Sequence, residues 1–276
     1  MPDQQDLVAE AETGFNLALK LCGSCLSYHA TRGYLRATGH RAGVSLDAPI
    51  MIETMAALGP RRVLVAGSAD SGQFALVVAA TPADCQVVVA DQCDTPLELV
   101  RQRAARLGRL VETFKTDLTD RAPDGSFDLV LAHSILPFIP DRLRSAFLGN
   151  LARALAPDGH LLLVNHERKA HKHVRSPEEV VAWSGSVLSI IEQKRIPFPA
   201  DRSRFIAELN NFAASEGLGW EGTRHLDTQE VKTLLEAVGL TVVREWGSPG
   251  RDNIGGVEAG APKRLTTNYL LATQAR

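Results

Sequence analysis

The spacing of apolar residues changes character near residue 60. Before that point Leu7, Ala11, Phe15 and Leu19, and the run to Tyr34-Leu35, recur on one helical face, and Gly39 marks a stop. A second helix is predicted from Asp47 to about Leu58, ended by Gly59-Pro60. Beyond it, short apolar runs of strand length at 62–66, 86–90, 111–114, 127–132 and 161–164 alternate with helix-like segments. Runs that are apolar throughout suit strands buried on both faces, as in a parallel sheet sandwiched between helices. The intervening helices are predicted at 73–80, from Thr95 onward, and at 141–155. Thr95-Pro96-Leu97-Glu98 reads as N-cap, first-turn proline and capping-box acid.

The alternation breaks after the fifth strand. Residues 165–225 are mostly helical or irregular and too long for a simple connection, which predicts an inserted lid. Regularity returns with Asp227-Thr228-Gln229-Glu230, a second capping-box pattern, and a helix to Gly239. Segments 240–246 and 268–274 read as two last strands, and the Gly- and Pro-rich stretch 247–262 between them as a mobile loop.

Composition narrows the class. The 276 residues are 45% hydrophobic and 22% charged, the balance of a globular protein. A net charge of −2 gives no electrostatic basis for binding nucleic acid or an anionic membrane. No apolar run has the length of a membrane span, and Met1-Pro2-Asp3-Gln4 lacks a signal-peptide pattern, so a cytoplasmic location is expected. Four cysteines are too few for a disulfide framework. Cys22-Gly-Ser-Cys25 forms a C-x-x-C pair within the helical stretch; it offers two of the four ligands zinc needs and is read as structural.

Candidate chemistry begins at the first strand. Gly67-Ser68-Ala69-Asp70-Ser71-Gly72 follows it directly, and such a turn lets backbone approach a ligand while the next helix offers free N–H groups. Asp91, followed by Gln92, closes the second strand, where a carboxylate can accept from ribose hydroxyls. Loop and acid together indicate a nucleoside cofactor without saying which. The later strand ends are more specific. Thr116-Asp117-Leu118, the stretch 126–133, and above all Leu151-Ala152-Arg153-Ala154-Leu155-Ala156-Pro157-Asp158-Gly159 resemble the class I S-adenosylmethionine-dependent methyltransferases.

That resemblance covers roughly residues 47–164 and 227–274. It implies that Gly67, Ser68, Ala69 and Gly72 line the cofactor, that Asp91 and Gln92 hold the ribose, and that Asp117 and Leu118 meet the adenine. It further implies an α/β fold: a doubly wound, mostly parallel seven-stranded sheet with helices on both faces and one antiparallel strand near the edge. The expected division is a helical N-terminal cap over 1–45 and a Rossmann-like domain over 46–276, with the lid at about 167–225. Three departures are visible: Val65 stands where the family usually has an acid, Ala69 where it has glycine, and the turn Gly67-x-Ala69-x-x-Gly72 has dehydrogenase-like spacing, one residue longer than the common form.

A cofactor carrying an activated methyl leaves the protein to orient the acceptor and, for a hydroxyl or amine, to take up its proton. His133 and His166, closing the fourth and fifth strands, are the candidate bases, and His133 also borders the cofactor. Arg32, on one helical face with Tyr28, is a candidate for the cofactor's carboxylate. His171 and His173 follow His166 at a spacing that fits no common metal pattern, so no metal is expected. Trp183, Phe198, Phe205, Phe212 and Trp220 either line an acceptor pocket or form the lid's own core. The sequence therefore predicts methyl transfer to oxygen or nitrogen of a small molecule, with no nucleic-acid or membrane partner and with a homodimer left open. The competing readings are a cyclase releasing methylthioadenosine, an NAD-dependent oxidoreductase and a non-catalytic cofactor-binding subunit.

Overall fold

The computed structural model describes residues 4–41, 43–168, 174–218, 225–252 and 264–275. The chain enters through helices α1 (Gln4–Leu21), α2 (Leu26–Thr38) and α3 (Ala48–Leu58). An alternating series follows: β1 (Arg62–Ala66), α4 (Gly72–Ala80), β2 (Gln86–Asp91), α5 (Asp94–Leu107), β3 (Glu112–Lys115), β4 (Phe127–His133), α6 (Arg144–Ala154) and β5 (Leu155–Arg168). Helices α7 (Pro177–Gln193) and α8 (Arg202–Leu218) come next, then α9 (Thr228–Ala237), β6 (Leu240–Asp252) and β7 (Arg264–Gln274).

The seven strands form one sheet in the order β3-β2-β1-β4-β5-β7-β6. Pairing is parallel from β3 through β5, and β7 runs antiparallel to both of its neighbours. The two-residue period of a strand explains how one apolar run serves two cores. In β1, Val63 and Val65 face Met51, Met55, Phe74 and Leu97 of α3, α4 and α5. Leu64 and Ala66 face the other way, toward Phe147, Leu151, Val231 and Leu235 of α6 and α9. Strand order reverses between β1 and β4, which opens a crevice at their carboxyl ends, the usual ligand position in such sheets.

A third core binds segments far apart in sequence. Phe15, Tyr34 and Leu35 of α1 and α2 pack with Val187, Ile191, Phe205 and Leu209 of α7 and α8. The ring of Phe205 lies 4.5 Å from that of Tyr34, 5.9 Å from Phe15 and 6.5 Å from Phe198. Trp183 and Phe212 join the same cluster, so the aromatics of this region serve packing; Trp220 lies outside the described residues. This helical layer reaches the sheet at the β1–α4 loop. There the Glu10 carboxylate accepts from the Ser71 amide (3.1 Å) and hydroxyl, and Arg36 Nη1 pairs with Asp70 (2.7 Å).

Several local expectations are corrected. The first helical run is broken at Cys22–Cys25, which forms the turn between α1 and α2 rather than part of a helix. Helix α5 starts one residue before Thr95, with Cys93 in the N-cap position and no side-chain cap. Thr95 is buried and its hydroxyl meets Cys22 Sγ at 3.1 Å, so the capping-box pattern there is spent on packing. Strand β5 begins at Leu155, not near 161, and the predicted helix start at Asp141 is a 3-10 turn ahead of α6. Residues 247–252 extend β6 where a loop was expected; 253–263 lie outside the described residues. The Asp227–Glu230 capping box is present in both directions.

Phe205→Ala would leave a cavity where four elements meet. A loss of about 3–5 kcal/mol is expected by denaturant unfolding; a loss below about 1 kcal/mol would contradict a shared core.

Candidate active site

Gly67 makes the crevice possible. Its φ of +77° is unfavourable for other residues, and a Cβ there would lie 2.1 Å from Ile135 Cδ1, just beyond β4. The loop it opens is braced from within and from the helical layer. Ser68 Oγ donates to the Asp70 carbonyl (2.6 Å), and the Gly72 amide donates to Asp70 Oδ1 (2.8 Å). Burial would raise the Asp70 carboxyl, but Arg36 and Arg32 outweigh it and bring it down to about 2. Ala69 is partly exposed at the loop's tip. Val65, at the position where an acid was the expected type, is wholly buried among the apolar side chains of the α3–α5 face.

Asp91 stands at the end of β2 beside this loop. Its carboxylate accepts from the Ser68 and Cys93 amides, each at 2.8 Å, which leaves lone pairs for two further donors. Burial is the main cause that lifts its pKa to about 6. Gln92 next to it is exposed. After β3, Asp117 is exposed and its side chain accepts from the Thr119 amide (2.8 Å), while Leu118 is buried and its carbonyl accepts from Asn150 (2.9 Å). Arg32 comes to the same end of the sheet, but its Nε lies 3.5 Å from Asp70 and its guanidinium 5.8 Å above the Tyr28 ring. It is therefore partnered within the chain as well as available to a ligand through its remaining donors.

The structure brings His133 and His166 together on a residue that sequence reasoning had treated only as a helix start. Asp47 Oδ2 lies 2.7 Å from His133 Nε2 and 3.2 Å from His166 Nε2, and its Oδ1 accepts from the Tyr269 hydroxyl at 2.7 Å. The two imidazoles meet edge to face at 5.4 Å. Asp47 occupies the N-cap position of α3 with φ −93° and ψ −12°, and its side chain makes no capping bond. An aspartate before a proline-bearing helix looks like a cap, and nothing local in the sequence reveals that its carboxylate turns inward instead. Burial opposes its charge, yet the bonds from His133 and His166 prevail and hold it well below the usual carboxylate range. Nothing local in the sequence reveals Tyr269 on β7 or Ser134 after β4 either, because their places depend on strand register. Ser134 has φ +54°, an uncommon conformation for a serine, and its hydroxyl meets His166 Nδ1 at 2.8 Å.

This network fixes proton positions. An ionised Asp47 only accepts, so each histidine presents Nε2–H to it. His166 Nδ1 is engaged by the Ser134 hydroxyl, whereas no hydrogen bond engages His133 Nδ1 among the described residues. Burial is the main cause that lowers the His133 pKa, against the pull of Asp47, so the ring is neutral near pH 7. Asp47, His133 and His166 also have ligand atoms within 4.8 Å of one another, near enough to share a cation, although their bonds already satisfy them. His171 and His173 lie outside the described residues.

Residues 64–163 match a family model described as a methyltransferase domain. The trans-aconitate 2-methyltransferase of Methylobacterium radiotolerans is 28% identical over 193 residues, 69% of this chain and 71% of that protein. Among solved structures, the pyocyanin biosynthetic protein PhzM superposes with a TM-score of 0.53 at 20% identity. That match covers 95% of this chain, which spans 62% of PhzM's length. The magnesium protoporphyrin IX methyltransferase ChlM of Synechocystis PCC 6803, solved with bound S-adenosylhomocysteine, gives 0.52 at 17% identity, covering 87% of each chain. At these identities the structural likeness speaks for the fold.

Imidazole proton resonances should report the burial of His133 directly. Its titration midpoint is expected below the ordinary value of about 6.5. Asp47→Asn, which removes the charge favouring the imidazolium, should lower the midpoint further. A midpoint above about 7, or a rise in that variant, would contradict the site's electrostatics.

Proposed function

We propose that the chain is an S-adenosylmethionine-dependent methyltransferase of the class I fold that methylates oxygen or nitrogen of a small molecule, with His133 as base. The observation that carries the reading is the buried Asp47 carboxylate holding His133 at the carboxyl end of β4, across from the glycine loop of β1. A neutral imidazole oriented by a carboxylate is the arrangement a hydroxyl or amine acceptor needs. His166 is a second candidate base, but its Nδ1 is engaged by Ser134, so we assign it to positioning Asp47.

The cofactor, when bound, supplies a methyl group on a sulfonium with a ready leaving group. Residues of this chain fit it on grounds of donor chemistry. Asp91 retains acceptor capacity for ribose hydroxyls, assisted by Gln92. Gly67, Ser68, Ala69 and Gly72 provide the close-approach turn, and Asp117 and Leu118 stand at the end of β3 for the adenine. Arg32 offers its remaining donors to a carboxylate. On the acceptor's side, His133 Nδ1 takes the proton while Asp47 holds Nε2–H and stabilises the imidazolium that forms. The helices of residues 1–45 and the insertion at about 167–225 act in this reading as one cover that excludes water, since they share a core above the loop.

A small acceptor is supported by that cover, and the relative acting on trans-aconitate makes small carboxylic acids, tested beside phenols and amines, the first acceptors to try. Calorimetric titration with S-adenosylmethionine, S-adenosylhomocysteine and NAD should give binding of the first two alone. Mass analysis of the released nucleoside separates methyl transfer from cyclisation to methylthioadenosine. Asp91→Ala should weaken cofactor binding, and in the wild type affinity should fall as pH drops through about 6, where Asp91 takes up a proton. Affinity that is intact in the variant or flat with pH would remove the ribose assignment. His133→Ala should lower kcat at least tenfold, about 1.4 kcal/mol, with cofactor affinity little changed; an unchanged rate would remove it as base.

A further inference from the structure

The four cysteines do not stay apart. The turn that breaks the first helical run presents Cys22 and Cys25, α2 presents His29 one turn further on, and Cys93 stands at the N-cap of α5. Cys22 Sγ and Cys25 Sγ lie 3.5 and 3.6 Å from Cys93 Sγ, and the ligand atoms of all four residues lie within 4.8 Å of one another. Cys93 and His29 are buried, and Cys22 and Cys25 are partly so. The reading that C-x-x-C offers only two ligands is thus corrected: the fold supplies the other two from 4 and 68 residues beyond Cys25.

The geometry points to a structural zinc site formed by Cys22, Cys25, His29 and Cys93. Zinc–sulfur bonds of about 2.3 Å in a tetrahedron place sulfurs about 3.8 Å apart, close to the two separations observed. Three thiolates and an imidazole form a closed set with no position left for water, the mark of a structural rather than a catalytic ion. As a metal-free cluster the group is poorly satisfied, because thiols are weak hydrogen-bond partners and the buried His29 Nδ1 has none. A structural metal also answers a specific mechanical need. The Cys93 amide donates to Asp91 Oδ1, so an ion on Cys93 would tie the α1–α2 turn to the loop that holds Asp91 in place. The site is separate from the Asp47 cluster, and it stands or falls independently of the acceptor and of methyl transfer itself.

The full chain, purified under reducing conditions without chelator and dialysed, should retain about one equivalent of zinc by elemental analysis. Cys25→Ser and Cys93→Ser should each lose that equivalent, and stripping the wild type should lower its Tm. Because a Cys93 variant risks misfolding, cobalt added to the stripped, reduced wild type provides a second measurement. Thiolate-to-metal charge transfer and intense visible bands of tetrahedral cobalt are expected. Zinc retained undiminished in the cysteine variants would place the ion elsewhere and overturn the assignment. So would a cobalt spectrum without thiolate bands, or a reduced chain that holds no zinc as isolated and takes up none when it is supplied.

Discussion

One buried carboxylate, that of Asp47, ties the start of α3 to three neighbouring strands of the sheet. Its two oxygens accept from His133 at the end of β4, His166 on β5 and Tyr269 on β7, while its backbone begins α3. A charge in such a place is tolerated because these three donors meet it. The constraint runs both ways. The donors need the carboxylate to fix their tautomers, and the carboxylate needs the antiparallel insertion of β7 beside β5 to bring Tyr269 within reach. Position in the sheet, not sequence spacing, therefore assembles the candidate base.

The second constraint is the joining of the helical layer to the glycine loop. Arg32 and Arg36 of α2 meet Asp70, and Glu10 of α1 meets Ser71, all on the loop between β1 and α4. Buried ion pairs of this kind contribute little net stability but are costly to break from one side. Their consequence here is register. The layer made by α1, α2, α7 and α8 cannot shift against the β1–α4 loop without separating these charges.

The sheet was legible because buried parallel strands leave apolar runs such as Val63-Leu64-Val65-Ala66 and Leu129-Val130-Leu131-Ala132, which few other structures need. Glycine and acid at the ends of β1 and β2 were legible for the same reason, since chemistry sits at strand ends in this architecture. The Asp227 capping box was readable because its partners are three residues apart. Thr95 looked the same and misled, because Cys22, 73 residues away, claims its hydroxyl. Asp47, Tyr269 and the pairing of Cys93 with the C-x-x-C turn were hidden for the same cause. Each depends on a contact across many tens of residues, and a local pattern carries no trace of it.

In the proposed reaction a neutral His133, held by Asp47, accepts the acceptor's proton. The most direct measurement is the pH dependence of kcat/KM for methyl transfer to an identified hydroxyl or amine acceptor. Burial lowers the His133 pKa, so the base stays unprotonated further into acid than a free histidine. The acid limb should therefore fall with a midpoint below about 6.5 and vanish from the residual rate of His133→Ala. An acid limb unchanged in that variant, or a midpoint above about 7, would contradict the account.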